Sequence, residues 1–294
     1  MLNNNIQKWT LFITLSFIWG SSFILMKEGL ESLTAFQVAS VRIVCSGLFL
    51  LPIAIKGFRQ IPLRKLHLIF FSGVLGSLMP AYLFCIAEQK IDSSLAGALN
   101  SLTPIFVIIT GVLFFRRKTS IQKVIGILIA FAGSIILFIS QSDLGEYYNY
   151  NYVLFVVLAT FFYGLNVNVV VRYLKEIPSL QIVAIAMQLI AIPAGIVLYF
   201  SGYFSLDLSS HAILVSSGYS AILGIFGTSI ANILFYKLLK SAGAVFSSMV
   251  TYGIPFVAII WGIVYREKIG WLQVFSLFII LIGVYYTNIK TDKK

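Results

Sequence analysis

Ionisable side chains are scarce in this sequence. Lys, Arg, Asp and Glu make up 11% of the 294 residues, where a soluble domain carries about a quarter. Hydrophobic residues fill 59%, and water would not dissolve the surface such a mixture leaves. The connectors between the apolar runs are too short to build a soluble domain, which excludes a catalytic domain hung on a membrane anchor. Whatever the chain does is carried by its apolar helices and their ends. Histidine is almost missing: His67 and His211 lie near helix ends, and no His/Asp/Glu cluster falls inside an apolar run. A membrane-embedded enzyme needs convergent acids, bases or metal ligands, so no catalytic residue, no metal site and no cofactor is expected. The two cysteines, Cys45 and Cys85, sit in apolar runs without metal-ligand spacing or a disulfide framework and read as small buried hydrophobes.

What is abundant is apolar sequence in lengths that fit a bilayer. A hydrocarbon core about 30 Å thick and a helical rise of about 1.5 Å per residue require about 20 apolar residues per span. Such runs occupy residues 9–26, 34–55, 66–87, 93–115, 121–140, 152–172, 180–201, 211–236, 244–265 and 271–289. They predict an all-α integral membrane protein of ten transmembrane helices. The first run is long for a signal peptide and shows no small-residue cleavage pattern, so it is expected to be a retained helix.

The net charge of +11 is explained by sidedness. With the N-terminus in the cytoplasm, the cytoplasmic segments hold Lys8, Lys56, Arg59, Arg64, Lys65, Arg116, Arg117, Lys118, Lys123, Arg172, Lys175, Lys237, Lys240, Lys290, Lys293 and Lys294. The opposite side receives Lys27, Lys90, Arg266 and Lys268 together with most of the acids. The positive-inside rule then places both termini in the cytoplasm, which demands an even number of crossings. A nucleic-acid partner is not needed to account for the charge. Only Arg266-Glu267-Lys268 fits this sorting poorly.

The two halves resemble each other. A displacement of 144 residues lays Trp19-Gly20 on Tyr163-Gly164 and Gln37 on Gln181. A displacement of 151 lays Gly73 on Gly224, Gly76 on Gly227, Pro104 on Pro255 and Ile121 on Leu272. The repeats are residues 1–145 and 146–294. Each holds five helices, an odd number, so the second copy enters the membrane from the opposite side and the repeat is inverted. Inverted repeats suit alternating access around a central site, although duplication alone also gives a stable bundle.

The run FIWGSSFILMK in the first helix, SSLAGALNSLTPIFVIITGVLFF in the fourth and SAGAVFSSMVTYGIPFVAIIWGIVYREKIGWLQ around the ninth resemble the EamA-like branch of the drug/metabolite transporter superfamily, in order and spacing, over nearly the whole chain. The resemblance implies two inverted five-helix repeats around a central cavity and an exporter of amino acids or related metabolites in the cytoplasmic membrane. One departure stands out. The family often places an acidic residue just after both the fourth and ninth helices; Glu267 matches the second, while Arg116 occupies the first.

Polar residues inside the spans mark the candidate site. Gly73, Ser77, Ala81 and Cys85 share one face of the third helix, and their mates Gly224, Thr228, Asn232 and Tyr236 share one of the eighth. Only the second set turns polar. Asn232 then faces a cavity or makes an interhelical hydrogen bond, and Tyr236 does the same or anchors at the interface. Pro104 and Pro255 each free a carbonyl one turn earlier, at Asn100 and Thr251, beside Ser101, Thr103, Ser247, Ser248 and Tyr252. These prolines are candidate hinges or static kinks. Trp19, Ser21 and Ser22 in the first helix mirror Tyr163, Asn166 and Asn168 in the sixth, an aromatic and amide lining suited to an amphipathic metabolite. The candidate substrate-binding set is therefore Trp19, Ser22, Asn100, Thr103, Tyr163, Asn166, Asn232, Thr251 and Tyr252. Arg42, the one ionised residue well inside a span, needs a partner or water; it pairs with Glu88 or Glu28, or attracts a carboxylate substrate. The expected partners are a small-molecule substrate and the lipid bilayer, with the chain acting as a monomer. A multi-pass channel or scaffold is the alternative, followed by a membrane-embedded enzyme.

Overall fold

In the computed structural model, residues 3–91, 93–141, 150–257, 260 and 270–289 are described. Among them every regular element is helical. Eight helices are long and apolar enough to cross a membrane: Asn5–Leu30, Ala35–Phe58, Leu63–Glu88, Leu95–Phe115, Asn151–Tyr173, Ser179–Phe200, His211–Ala242 and Trp271–Asn288. The other two apolar runs form shorter helices over Ile121–Leu137 and Ala244–Val257. Below, these stretches are the first to tenth helices in chain order. Arg266-Glu267-Lys268 and the basic residues from Lys290 lie outside the described residues.

Local chemistry sets the ends. Thr34 caps the second helix by accepting from the Gln37 amide, and the Gln37 side chain accepts in return from the Thr34 amide at 3.0 Å. Gly243, at φ 86°, separates the eighth helix from the ninth with one residue. The fourth helix ends on Arg116 in the left-handed region, φ 51°. Leu113, Phe200, Trp271 and Tyr285 are largely exposed, as side chains facing lipid should be, so helices are held together by close packing at small residues.

Those close contacts come in pairs. A methyl group on Gly20 would sit 2.6 Å from Val257 Cβ, and one on Gly164 would sit 2.7 Å from the Phe106 carbonyl carbon. Displaced by 144 and 151 residues, Gly20 becomes Gly164 and Phe106 becomes Val257. Likewise Gly224 approaches the Arg42 carbonyl, where its mate Gly73 approaches Ala186, the mate of Arg42. Gly227 meets Ser22, and Gly76 meets Asn166, again the mates. The first helix thus packs on the ninth as the sixth packs on the fourth, and the second on the eighth as the seventh on the third.

The third and eighth helices are not regular throughout. The third runs as a π-helix over Val74–Leu78 and the eighth over Leu223–Ile230; the displacement of 151 carries the first stretch inside the second. The fourth helix breaks after Asn100 and resumes at Thr103, so that Pro104 occupies its first turn, where a missing amide costs nothing. The ninth tightens into a 3-10 turn over Met249–Gly253 ahead of Pro255.

Candidate functional site

A central cavity of about 90 Å³ lies between the halves. The lining draws on the first, second, third, fourth, sixth, eighth and ninth helices. Trp19, Ser22, Arg42, Asn100, Thr103, Tyr163, Asn166, Asn232 and Thr251 all face it. Asn100 and Thr251, repeat mates, come from the broken region of the fourth helix and the tightened turn of the ninth. Phe23, Phe84 and Phe235 supply aromatic wall, with Phe84 stacked on Tyr163 at 6.1 Å between ring centroids and Phe235 tilted on Trp19 at 5.2 Å.

The polar groups are held in defined directions. Trp19 Nε1 donates to the Gly227 carbonyl at 3.1 Å, a carbonyl in the π-helical stretch whose regular i+4 bonding is disturbed. Ser22 bonds back to the Ile18 carbonyl at 2.8 Å. Thr103 donates to Asn100 Oδ1 at 3.2 Å, and Thr251 to the Ser248 carbonyl at 3.1 Å. Asn232 Nδ2 donates to Ser77 Oγ at 3.0 Å, joining the eighth helix to the third at the cavity wall. Asn166 is the most constrained. Its Oδ1 accepts from Ser72 at 2.7 Å and its Nδ2 donates to Tyr236 Oη at 3.0 Å, while Ser72 and Tyr236 also bond each other at 2.9 Å.

Several expectations resolve differently. Tyr252 is turned away from the cavity: it is fully buried and donates to the Ile127 carbonyl of the fifth helix at 3.0 Å. Tyr236 is no interfacial anchor but a buried member of the Asn166 cluster. Asn168 binds the sixth helix to the fourth through the Val107 carbonyl and Thr110. Arg42 forms no ion pair with Glu88 or Glu28; its Nε donates to Thr228 Oγ1 at 2.6 Å. Glu88 instead accepts from Ser93 through Oε2, and its Oε1 is buried without a hydrogen bond. Cys85 is buried, its thiol donating to the Met26 sulfur.

Other lining residues carry little sequence signal. Gly76 and Gly227 are visible through the repeat, but Phe23, Met26, Phe84, Val167 and Phe235 belong to helices apolar on every face, where periodicity does not separate inside from outside.

Known proteins agree with this architecture. A solved crystal structure superposes with a TM-score of 0.72 over 95% of each chain at 12% identity, a likeness of fold. An uncharacterised transporter of Archaeoglobus fulgidus is 28% identical over 95% of this chain and 98% of its own length. The uncharacterised inner membrane transporter YedA of Escherichia coli K12 is 26% identical over 91% of this chain and 88% of its own. The protein PagO of Salmonella typhimurium is 22% identical over 94% and 91%. The profile of the EamA-like transporter family matches residues 8–139 and again 151–289. With both halves covered, the chain is a multi-pass membrane protein that belongs to the EamA-like transporter family.

Proposed function

We propose that this protein is a secondary transporter that exports amino acids or related small metabolites across the cytoplasmic membrane by alternating access, as a monomer of ten helices in two inverted five-helix repeats, residues 1–145 and 146–294, with both termini cytoplasmic. One observation carries the reading: the tight contacts between the halves exchange under the repeat displacements, and the cavity lies between those contacts. A pair of halves with interchangeable contacts has two arrangements of similar energy, one opening to each side. The family profile matching each half separately supports the duplication.

In this reading Trp19, Ser22, Asn100, Thr103, Tyr163, Asn166, Asn232 and Thr251 contact substrate. Tyr252 acts behind them, fixing the ninth helix against the fifth. The break before Pro104 and the tightened turn before Pro255 act as hinges: polar backbone at membrane depth is tolerated where it faces a cavity. Arg116, which lacks the family's carboxylate, ends the fourth helix and takes no part in binding.

Counterflow into liposomes holding the purified protein tests the proposal, with a labelled panel of amino acids and nucleosides. Saturable accumulation of an amino acid, competed by unlabelled solute, is the expected result. Properly folded protein that moves no member of the panel would sink the reading.

A further inference from the structure

Resting on that reading, we propose that Arg42 is the anion-binding centre of the cavity, and that the transported solute carries a carboxylate held by the terminal nitrogens of its guanidinium.

Among the described residues Arg42 is the sole charged one lining the cavity. Its repeat mate is Ala186, so the second half contributes no equivalent charge. A guanidinium inside a span needs a partner or water, and here the protein supplies only part of one. Nε donates to Thr228 Oγ1 at 2.6 Å. The Thr228 hydroxyl in turn donates to the Leu223 carbonyl at 3.4 Å, five residues back in the π-helical stretch. The Arg42 backbone is pressed against Gly224, where a methyl group would lie 2.2 Å from its carbonyl oxygen. One edge of the guanidinium and the start of its side chain are therefore fixed by the eighth helix.

Among the described residues the two terminal nitrogens have no hydrogen-bond partner, and no carboxylate forms an ion pair with them. That leaves the end-on fork whose geometry matches a carboxylate. Tyr163 lines the same cavity, and among the described residues its hydroxyl has no hydrogen bond. The rival occupant is Glu88, at the end of the third helix. Glu88 does not line the cavity, however, and its hydrogen bond goes to Ser93. A lone cation in a largely apolar cavity favours anions and zwitterions and repels amines that lack an acid group.

The test compares matched ligands on the purified full-length protein: phenylalanine with phenylalaninamide, leucine with leucinamide, and benzoate with benzamide, read by thermal midpoint in detergent and by counterflow. Acids are expected to raise the midpoint and their amides to leave it unmoved. Arg42→Gln should weaken acid binding by at least about tenfold, the loss expected for a charged hydrogen-bonded fork, Arg42→Lys should fall between, and Glu88→Gln should keep acid binding. Amides binding as well as acids, acid binding surviving in Arg42→Gln, or no acid binding at all would overturn the assignment. So would an equal loss in Glu88→Gln, which would make the pair structural. The comparison of acid with amide on the unaltered protein decides the matter even if the Arg42 variants do not fold. Counterflow of amides or nucleosides in that event would leave the carrier standing while removing the anion site.

Discussion

Gly47 of the second helix and Ala191 of the seventh touch each other, and the displacement of 144 residues makes them mates: a methyl group on Gly47 would lie 2.8 Å from Ala191 Cβ. One side chain fits there, not two. Gly47→Ala should therefore lower the thermal midpoint, by about 1–3 kcal/mol of stability as overpacking does. Adding Ala191→Gly should recover most of it, because the exchanged pair has the same shape. Midpoints of the two single variants and the double variant in detergent check this; additive losses would contradict the packing.

A second pair of mates separates backbone from side-chain contact. A methyl group on Gly224 would lie 2.2 Å from the Arg42 carbonyl oxygen, which has no rotamer to move into, whereas one on Gly73 would lie 3.0 Å from a methyl of Ile190. Gly224→Ala should sharply reduce folded protein in the membrane, and Gly73→Ala should be tolerated with a smaller loss. Quantified membrane abundance of the two variants, side by side, tests the ranking.

The helices are legible in the sequence because backbone polar groups in a bilayer must be satisfied within the segment, so an apolar run of about 20 residues has few alternatives. Matching positions in the two halves are legible through glycines, since close approach leaves room for nothing larger. Directions within a helix are harder to read. A π-helical stretch such as Leu223–Ile230 shifts the register of everything after it, so spacing from Gly224 and Thr228 does not tell what Asn232 and Tyr236 meet: four apart on the regular helix that follows, Asn232 reaches the cavity wall and Tyr236 the adjoining buried Asn166 cluster. Tyr252 is misjudged for a related reason, because the 3-10 turn at Met249–Gly253 changes the angle between successive side chains and sends it to the fifth helix. The state of Arg42 is not in the sequence at all, since spacing along the chain cannot say whether Glu88 or Thr228 is the nearer partner.

Binding and packing roles should separate at Asn232 and Tyr236. Asn232 makes one side-chain hydrogen bond, to Ser77, at the cavity wall, so Asn232→Ala should cut counterflow severely while abundance and midpoint stay nearly unchanged. Asn100→Ala should behave alike. Tyr236→Phe leaves the buried Asn166 Nδ2 without this acceptor and removes one of the two bonds of the Ser72 hydroxyl, at a cost of about 1–3 kcal/mol, and should lower the midpoint directly. Equal loss of abundance in Asn232→Ala would reassign that residue to packing.

Arg116 offers the opposite sign. Its φ of 51° puts a residue with a Cβ where glycine is preferred, and it is exposed. The following amide, of Arg117, closes the helix end onto the Gly111 carbonyl at 2.9 Å, so the turn itself must be kept. Glycine keeps that turn and removes the left-handed penalty, roughly 1 kcal/mol, partly offset by its larger freedom when unfolded. Arg116→Gly should thus raise the thermal midpoint slightly and leave counterflow unaltered, since the side chain lies outside the cavity. A fall in transport with the midpoint raised would mean instead that the cation after the fourth helix contributes to the cycle.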